Sequence, residues 1–72
     1  MARDYFTAES NFIESAGYDD QTSILGIKFK DGDVWNYSPV PVGVWEGFKG
    51  AGSKGVFFHT YIKGRYSEKQ VE

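Results

Sequence analysis

The chain has 72 residues, with two Trp, five Tyr and six Phe, no cysteine, one histidine and a net charge of −2. These counts exclude a disulfide framework and a Cys/His zinc site, the usual supports of very small folds, and leave aromatic rings, which bury roughly 150–250 Å² each, to hold the core. No run approaches the ~20 apolar residues of a membrane helix and Met1 to Phe6 lacks the apolar middle of a signal peptide, so a cytoplasmic domain with no membrane contact is expected.

In chain order, residues 1–10 read as an N-terminal arm holding Arg3, Tyr5 and Phe6. Adjacent aromatics are costly to leave in water. They either pad the domain's own sheet or anchor in a partner's groove, where large rings are favoured; Arg3, Tyr5 and Phe6 are therefore candidate partner-binding residues. Residues 11–19 read as a first strand, and Asp19-Asp20-Gln21 as a polar turn. Residues 23–30 are the clearest strand, since Leu25, Ile27 and Phe29 alternate with Gly26, Lys28 and Lys30. Asp31-Gly32 turns the chain into a third strand over 34–38, a strong hairpin signal.

Pro39 and Pro41 end the sheet, because neither can donate to a ladder. Val44, Trp45 and Phe48 then mark one face of a short helix that Gly43, Gly47 and Gly50 weaken. Ser53 suits the N-cap of a second helix, in which Phe57, Phe58, Tyr61 and Ile62 form i, i+4 pairs. Residues 67–72 read as a flexible tail. The order predicts an α+β fold: a three-stranded antiparallel sheet followed by two short helices packed on one face.

The ordered set of residues resembles the KTSC family. Phe12-Ile13 through Gly17-Tyr18-Asp19 matches its opening, followed by Leu25-x-Ile27-x-Phe29-x-x-Gly32 and then Trp35-Asn36-Tyr37, where the family usually has Tyr-x-Tyr. Val40-Pro41, Val44-Trp45, Phe48, Ala51-x-Ser53-x-Gly55-x-Phe57-Phe58 and Ile62-x-Gly64-Arg65-Tyr66 complete it, making residues 11–66 the KTSC-like domain. The resemblance implies a domain found at the C-terminus of some lysyl-tRNA synthetases and as free-standing bacterial and phage-type proteins. RNA binding is suggested by that attachment.

Trp35 and Tyr37 lie two apart on a strand and face the same side. With a two-residue turn at Asp31-Gly32, Lys28 faces Trp35, and the two rings form an exposed platform beside Lys28 and Lys30, suited to stacking. With a three-residue loop and a left-handed Gly32, Ile27 faces Trp35 and Leu25 faces Tyr37, and the rings enter the core. A one-residue slip exchanges the faces; binary patterning favours the core.

Charge is uneven. Residues 1–47 carry three cations against eight acids, a net of −5, whereas residues 48–72 carry five against two, a net of +3. Lys49, Lys54, His59, Lys63 and Arg65, with Lys28 and Lys30, are the nucleic-acid-binding candidates. His59 and Lys63 share a helix face opposite much of the aromatic stripe, and Lys54 stands near a helix N-terminus, where backbone N–H groups favour an anion.

Catalysis finds little support. Asp19-Asp20 and Asp31/Asp33 sit in turns that favour Asp for local hydrogen bonds, and no nucleophile–base pair can be assembled. No cofactor or metal is expected. The expectation is a non-catalytic module docking on a protein of the nucleic-acid machinery, such as a bacterial RNA polymerase or another nucleic-acid enzyme, in the manner of a phage-encoded modulator. Direct RNA binding through Trp35, Tyr37 and the basic half is the alternative, and a purely structural appendage a third. A monomer or weak homodimer fits the size.

Overall fold

The structure, a computed structural model, describes residues 3–8 and 10–72, without the side chain of Arg3. Five strands run antiparallel in the order of the sequence: β1 (Arg3–Thr7), β2 (Ile13–Asp19), β3 (Ile24–Phe29), β4 (Val34–Ser38) and β5 (Ser67–Gln70). Between β4 and β5 come helix α1 (Val42–Gly50) and helix α2 (Lys54–Phe57), which continues into a π-helical turn, Phe58–Ile62.

The α+β architecture with an antiparallel sheet and two helices holds, but the sheet has five strands rather than three. Both segments expected to flank the domain are strands at its edges. The arm pairs with β2, with Phe6 opposite Ala16, because its residues alternate: Phe6 turns toward the helices and Tyr5 toward solvent. The stretch expected as a flexible tail pairs with β4, with Gln70 opposite Trp35. It has no apolar alternation to announce it. Backbone pairing makes this strand, after Gly64 turns the chain at φ 75°.

The β3–β4 register settles the hairpin. Ile27 lies opposite Trp35 and Leu25 opposite Tyr37, across a three-residue loop in which Gly32 is left-handed at φ 99°. The exposed-platform alternative is thereby overturned: Lys28 faces Val34, not Trp35, and Tyr37 is only 3% exposed.

Both helices cover one face of the sheet. Trp45 and Phe48 of α1, and Phe58 and Ile62 of the π turn, are buried against Ile13, Leu25 and Ile27. The glycine that weakens α1 in its middle has a packing role: a Cβ on Gly47 would stand 3.1 Å from the ring of Phe57. Ser53 caps α2 as expected, its Oγ accepting the N–H of Val56 at 3.3 Å. Tyr18 ties the sheet to the crossover into α1, its hydroxyl donating to the carbonyl of Val40 at 2.5 Å. Among the described residues, no helix is long and apolar enough to cross a membrane.

Candidate functional site

Rings and charges meet at both ends of the sheet, and at the β1 end they satisfy one another. Phe6 stacks on Trp45, with centroids 5.3 Å apart, and Trp45 stacks on Tyr18 at 5.5 Å. Above them Asp4 accepts hydrogen bonds from the ammonium of Lys49 and, at 3.3 Å, from the indole N–H of Trp45. The bond from Lys49, with help from the Tyr5 amide and Trp45, holds the Asp4 carboxyl below its usual range. The same bond raises Lys49, which also pairs with Glu46 at 3.3 Å.

Several sequence candidates are therefore structural. Phe6 pads its own sheet, while Tyr5 is 68% exposed on the face away from the helices. The side chain of Arg3 lies outside the described residues. Lys49 latches β1 to α1, and Lys28 pairs with Glu14 at 3.4 Å. Lys54 does not wait for an anion. Its ammonium donates to the carbonyls of Lys49 at 3.0 Å and Ala51 at 2.6 Å, covering the C-terminal end of α1, where a cation is favoured.

At the β5 end the pattern is different. A cleft of about 260 Å³ opens between β4, β5 and the π turn, lined by Phe12, Phe29, Trp35, Tyr37, Phe58, His59, Lys63 and Glu68. Its walls are rings in mutual contact: Phe12 on Phe29 at 6.3 Å, Phe58 edge-on to Tyr37 at 5.6 Å, and His59 against Phe12 at 5.2 Å. His59 and Lys63 thus stand at the aromatic cleft rather than opposite the aromatic stripe. The π turn is the reason: the Lys63 N–H reaches back five residues to the Phe58 carbonyl, at 2.8 Å. Such turns recur at functional sites.

The polar groups of this cleft are underused. Tyr37 is almost wholly buried, yet among the described residues its hydroxyl has no hydrogen-bond partner and is not sealed from solvent. Burial, and secondarily the charge of Glu68, push it up to about 12, so it stays a neutral hydroxyl at physiological pH. Glu68 accepts a long bond from the Gly64 N–H, 3.4 Å. Lys63 lines the same cleft but forms no ion pair with Glu68 or any other described residue. Lys30, in the hairpin loop, and Arg65, beyond the π turn, are exposed and likewise unpaired among the described residues.

The structure thus gathers Trp35, Tyr37, His59 and Lys63 into one place. The sequence reading did not include Phe12, Phe29, Phe58 and Glu68 in that site. Glu68 carried no signal, lying in a polar stretch; the three phenylalanines looked like ordinary core positions. A second, larger hollow of about 460 Å³ lies between Ser10–Phe12 and Gly52–Thr60, but small residues of the loops, α2 and the π turn make up most of its lining. It gathers fewer rings and charges.

An antiparallel five-stranded sheet, with two helices on one face and an aromatic cleft left open at one edge, defines a compact α+β domain of a recognisable type. A profile of the KTSC domain matches residues 9–66, and the chain belongs to that family. It is 38% identical over 63 residues to a lysine–tRNA ligase from Trichormus variabilis, a match covering 88% of this chain but 11% of the ligase. The chain thus spans only about a ninth of the ligase's length. A small protein from Tsukamurella paurometabola is 38% identical over 58 residues, covering 81% of this chain and 87% of that protein. The crystal structure of a KTSC domain protein from Yersinia pestis superposes with a TM-score of 0.89 at 33% identity, over 99% of this chain and 100% of that one.

Proposed function

We propose that this domain is a non-catalytic interaction module that docks on a protein of the nucleic-acid machinery through the cleft at the β5 edge. One observation carries the reading: a ring-walled cleft whose floor hydroxyl (Tyr37) has no hydrogen-bond partner among the described residues. Binding sites combine apolar walls with a few oriented polar groups, and the half-exposed Trp35 is the kind of ring that anchors partners. Occurrence of a similar segment within lysine–tRNA ligases supports a partner among proteins that handle nucleic acid. Against catalysis stands the lone histidine, which packs on phenylalanine rings and has no hydrogen-bonded nucleophile among the described residues.

Direct RNA binding is the weaker reading. Of its seven candidate groups, Lys28 and Lys49 are engaged by acids and Lys54 by backbone carbonyls. Phosphate neutralisation is what drives such binding.

The test places a photoreactive phenylalanine analogue at Lys63, on the cleft rim, or at Thr22, on the opposite face, in nuclease-treated bacterial lysate. The expected result is a discrete protein adduct from position 63 and not from 22, abolished by Trp35→Ala. Adducts that vanish with nuclease, or identical adducts from both positions, overturn the reading. Labelled single-stranded RNA titrated at two salt concentrations is expected to show no steep salt-dependent binding.

A further inference from the structure

We infer that the outer edge of β5 takes an extended, acidic peptide segment of the partner as a sixth strand, with one bulky apolar side chain of that segment turned into the cleft. This rests on the docking reading above and specifies the chemistry of what docks. Two sets of observations carry it: the state of the two sheet edges and the distribution of unpaired charge.

An edge strand presents a row of backbone donors and acceptors, and proteins that must not pair there block it. At the β1 edge the chain does so: the Tyr5 N–H is taken by the carboxylate of Asp4 at 2.9 Å, and that carboxylate is itself held by Lys49. At β5 the backbone is left open, although the strand is short and carries Glu68 and Lys69. All four residues are exposed, and among the described residues no side chain bonds to the backbone of Ser67–Gln70. The cleft adjoins this edge, since Glu68 of β5 is part of its lining. An added strand would lie ~4.8 Å beyond β5, and its side chains would alternate between the two faces. A ring on the helical face would lean over Glu68 toward Trp35 and the Tyr37 hydroxyl. Main-chain bonds and one side-chain pocket are the two parts of recognition by strand addition.

Charge selects the sequence of that strand. The cations without an ion pair include Lys63, Arg65 and Lys69, all on or just before β5, where they outnumber Glu68 and Glu72. At the other end Lys49 is held by Asp4 and Glu46, and Lys54 by backbone carbonyls. An acidic segment is therefore favoured over a basic one, through encounter as well as affinity.

The probe is a synthetic peptide of about nine residues, alternating Glu and Val around a central Phe, titrated into the isotope-labelled full chain and followed by amide and indole NMR signals. Shifts are expected in Ser67–Gln70 and in the Trp35 indole. Affinity should fall at least about tenfold when the central Phe becomes Ala or every Glu becomes Lys, and binding should be lost when the peptide amides facing β5 are N-methylated. In the protein, Lys63→Glu combined with Lys69→Glu, both at exposed positions, should weaken the acidic peptide and strengthen the basic one.

No detectable binding, or shifts confined to β1 or the open sheet face, would overturn the inference. So would a β5-paired dimer of the chain in sedimentation, or single-stranded RNA producing the same β5 shifts at physiological salt. Cleft shifts that survive N-methylation would remove strand addition while leaving the docking reading intact. Loss of the position-63 adduct would remove the docking reading itself.

Discussion

Strands β1 and β5 close the two ends of one sheet with the same materials, aromatic rings and long charged side chains, and they use them in opposite ways. At β1 the rings of Phe6, Trp45 and Tyr18 stack in series, and the Asp4 carboxylate collects Lys49, the Trp45 indole and the neighbouring amide. At β5 the rings of Phe12, Phe29 and Trp35 line an open cleft, and Tyr37 and Lys63 face it with no partner among the described residues. The lesson is that aromatic content alone does not separate core from surface. What separates them is whether the polar groups beside the rings have found one another.

If that contrast is right, the two tryptophans respond differently to removal. Trp45 is 1% exposed, so Trp45→Ala is expected to cost about 3–5 kcal/mol. A domain of this size has only roughly 4–11 kcal/mol to lose, and circular dichroism should find the urea midpoint lowered by a third or more. Gly55→Ala comes next. Its Cβ would stand 2.8 Å from the Phe12 ring, which Phe29 and His59 hold from other sides, so overpacking of about 1–3 kcal/mol is expected in the same measurement. Trp35→Ala removes a half-buried ring and should cost about 1–2 kcal/mol, leaving a folded domain that no longer forms the position-63 adduct.

The smallest effect sharpens the comparison through pH. Asp4 lies below its model-compound value of 3.8 and Lys49 above 10.5 in the folded chain. The latch therefore contributes fully between those values. Its contribution fades as acid protonates Asp4, below about 3.8, and as base neutralises Lys49, above about 10.5. The difference in urea midpoint between the parent chain and Asp4→Asn should follow that window and shrink with salt, as expected for an exposed pair. A difference that responds neither to acid nor to salt would mean Asp4 acts through packing rather than charge.

Much of the frame was legible from residue order. Alternation at Leu25, Ile27 and Phe29 placed β3, Asp31-Gly32 placed the hairpin, and Ser53 announced α2. Patterning also favoured the observed register over the platform, because a core face tolerates Ile27 opposite Trp35 better than opposite Asn36. The edges were not legible, for two different reasons. The arm is short and adjoins strongly charged residues, so its alternation over Asp4–Ala8 resembled a leader. β5 reads Ser-Glu-Lys-Gln, and nothing in four polar residues distinguishes a strand held by backbone bonds from a frayed end. Missing β5 left Glu68 and the open edge out of the candidate set, since both lie there. The π turn was equally hidden: Phe57 and Tyr61 do pair, at 4.7 Å, but periodicity does not reveal the extra residue that brings Lys63 over the cleft.

The two indole N–H signals offer the most direct test, because the chain has one tryptophan at each end of the comparison. On titration with the acidic peptide, or with the protein captured from position 63, the Trp35 signal should move while that of Trp45, fixed by Asp4, stays in place. Movement of Trp45 with Trp35 unchanged would contradict the account, since the binding surface would then lie at the β1 end of the sheet, where Asp4 and Lys49 hold the rings closed.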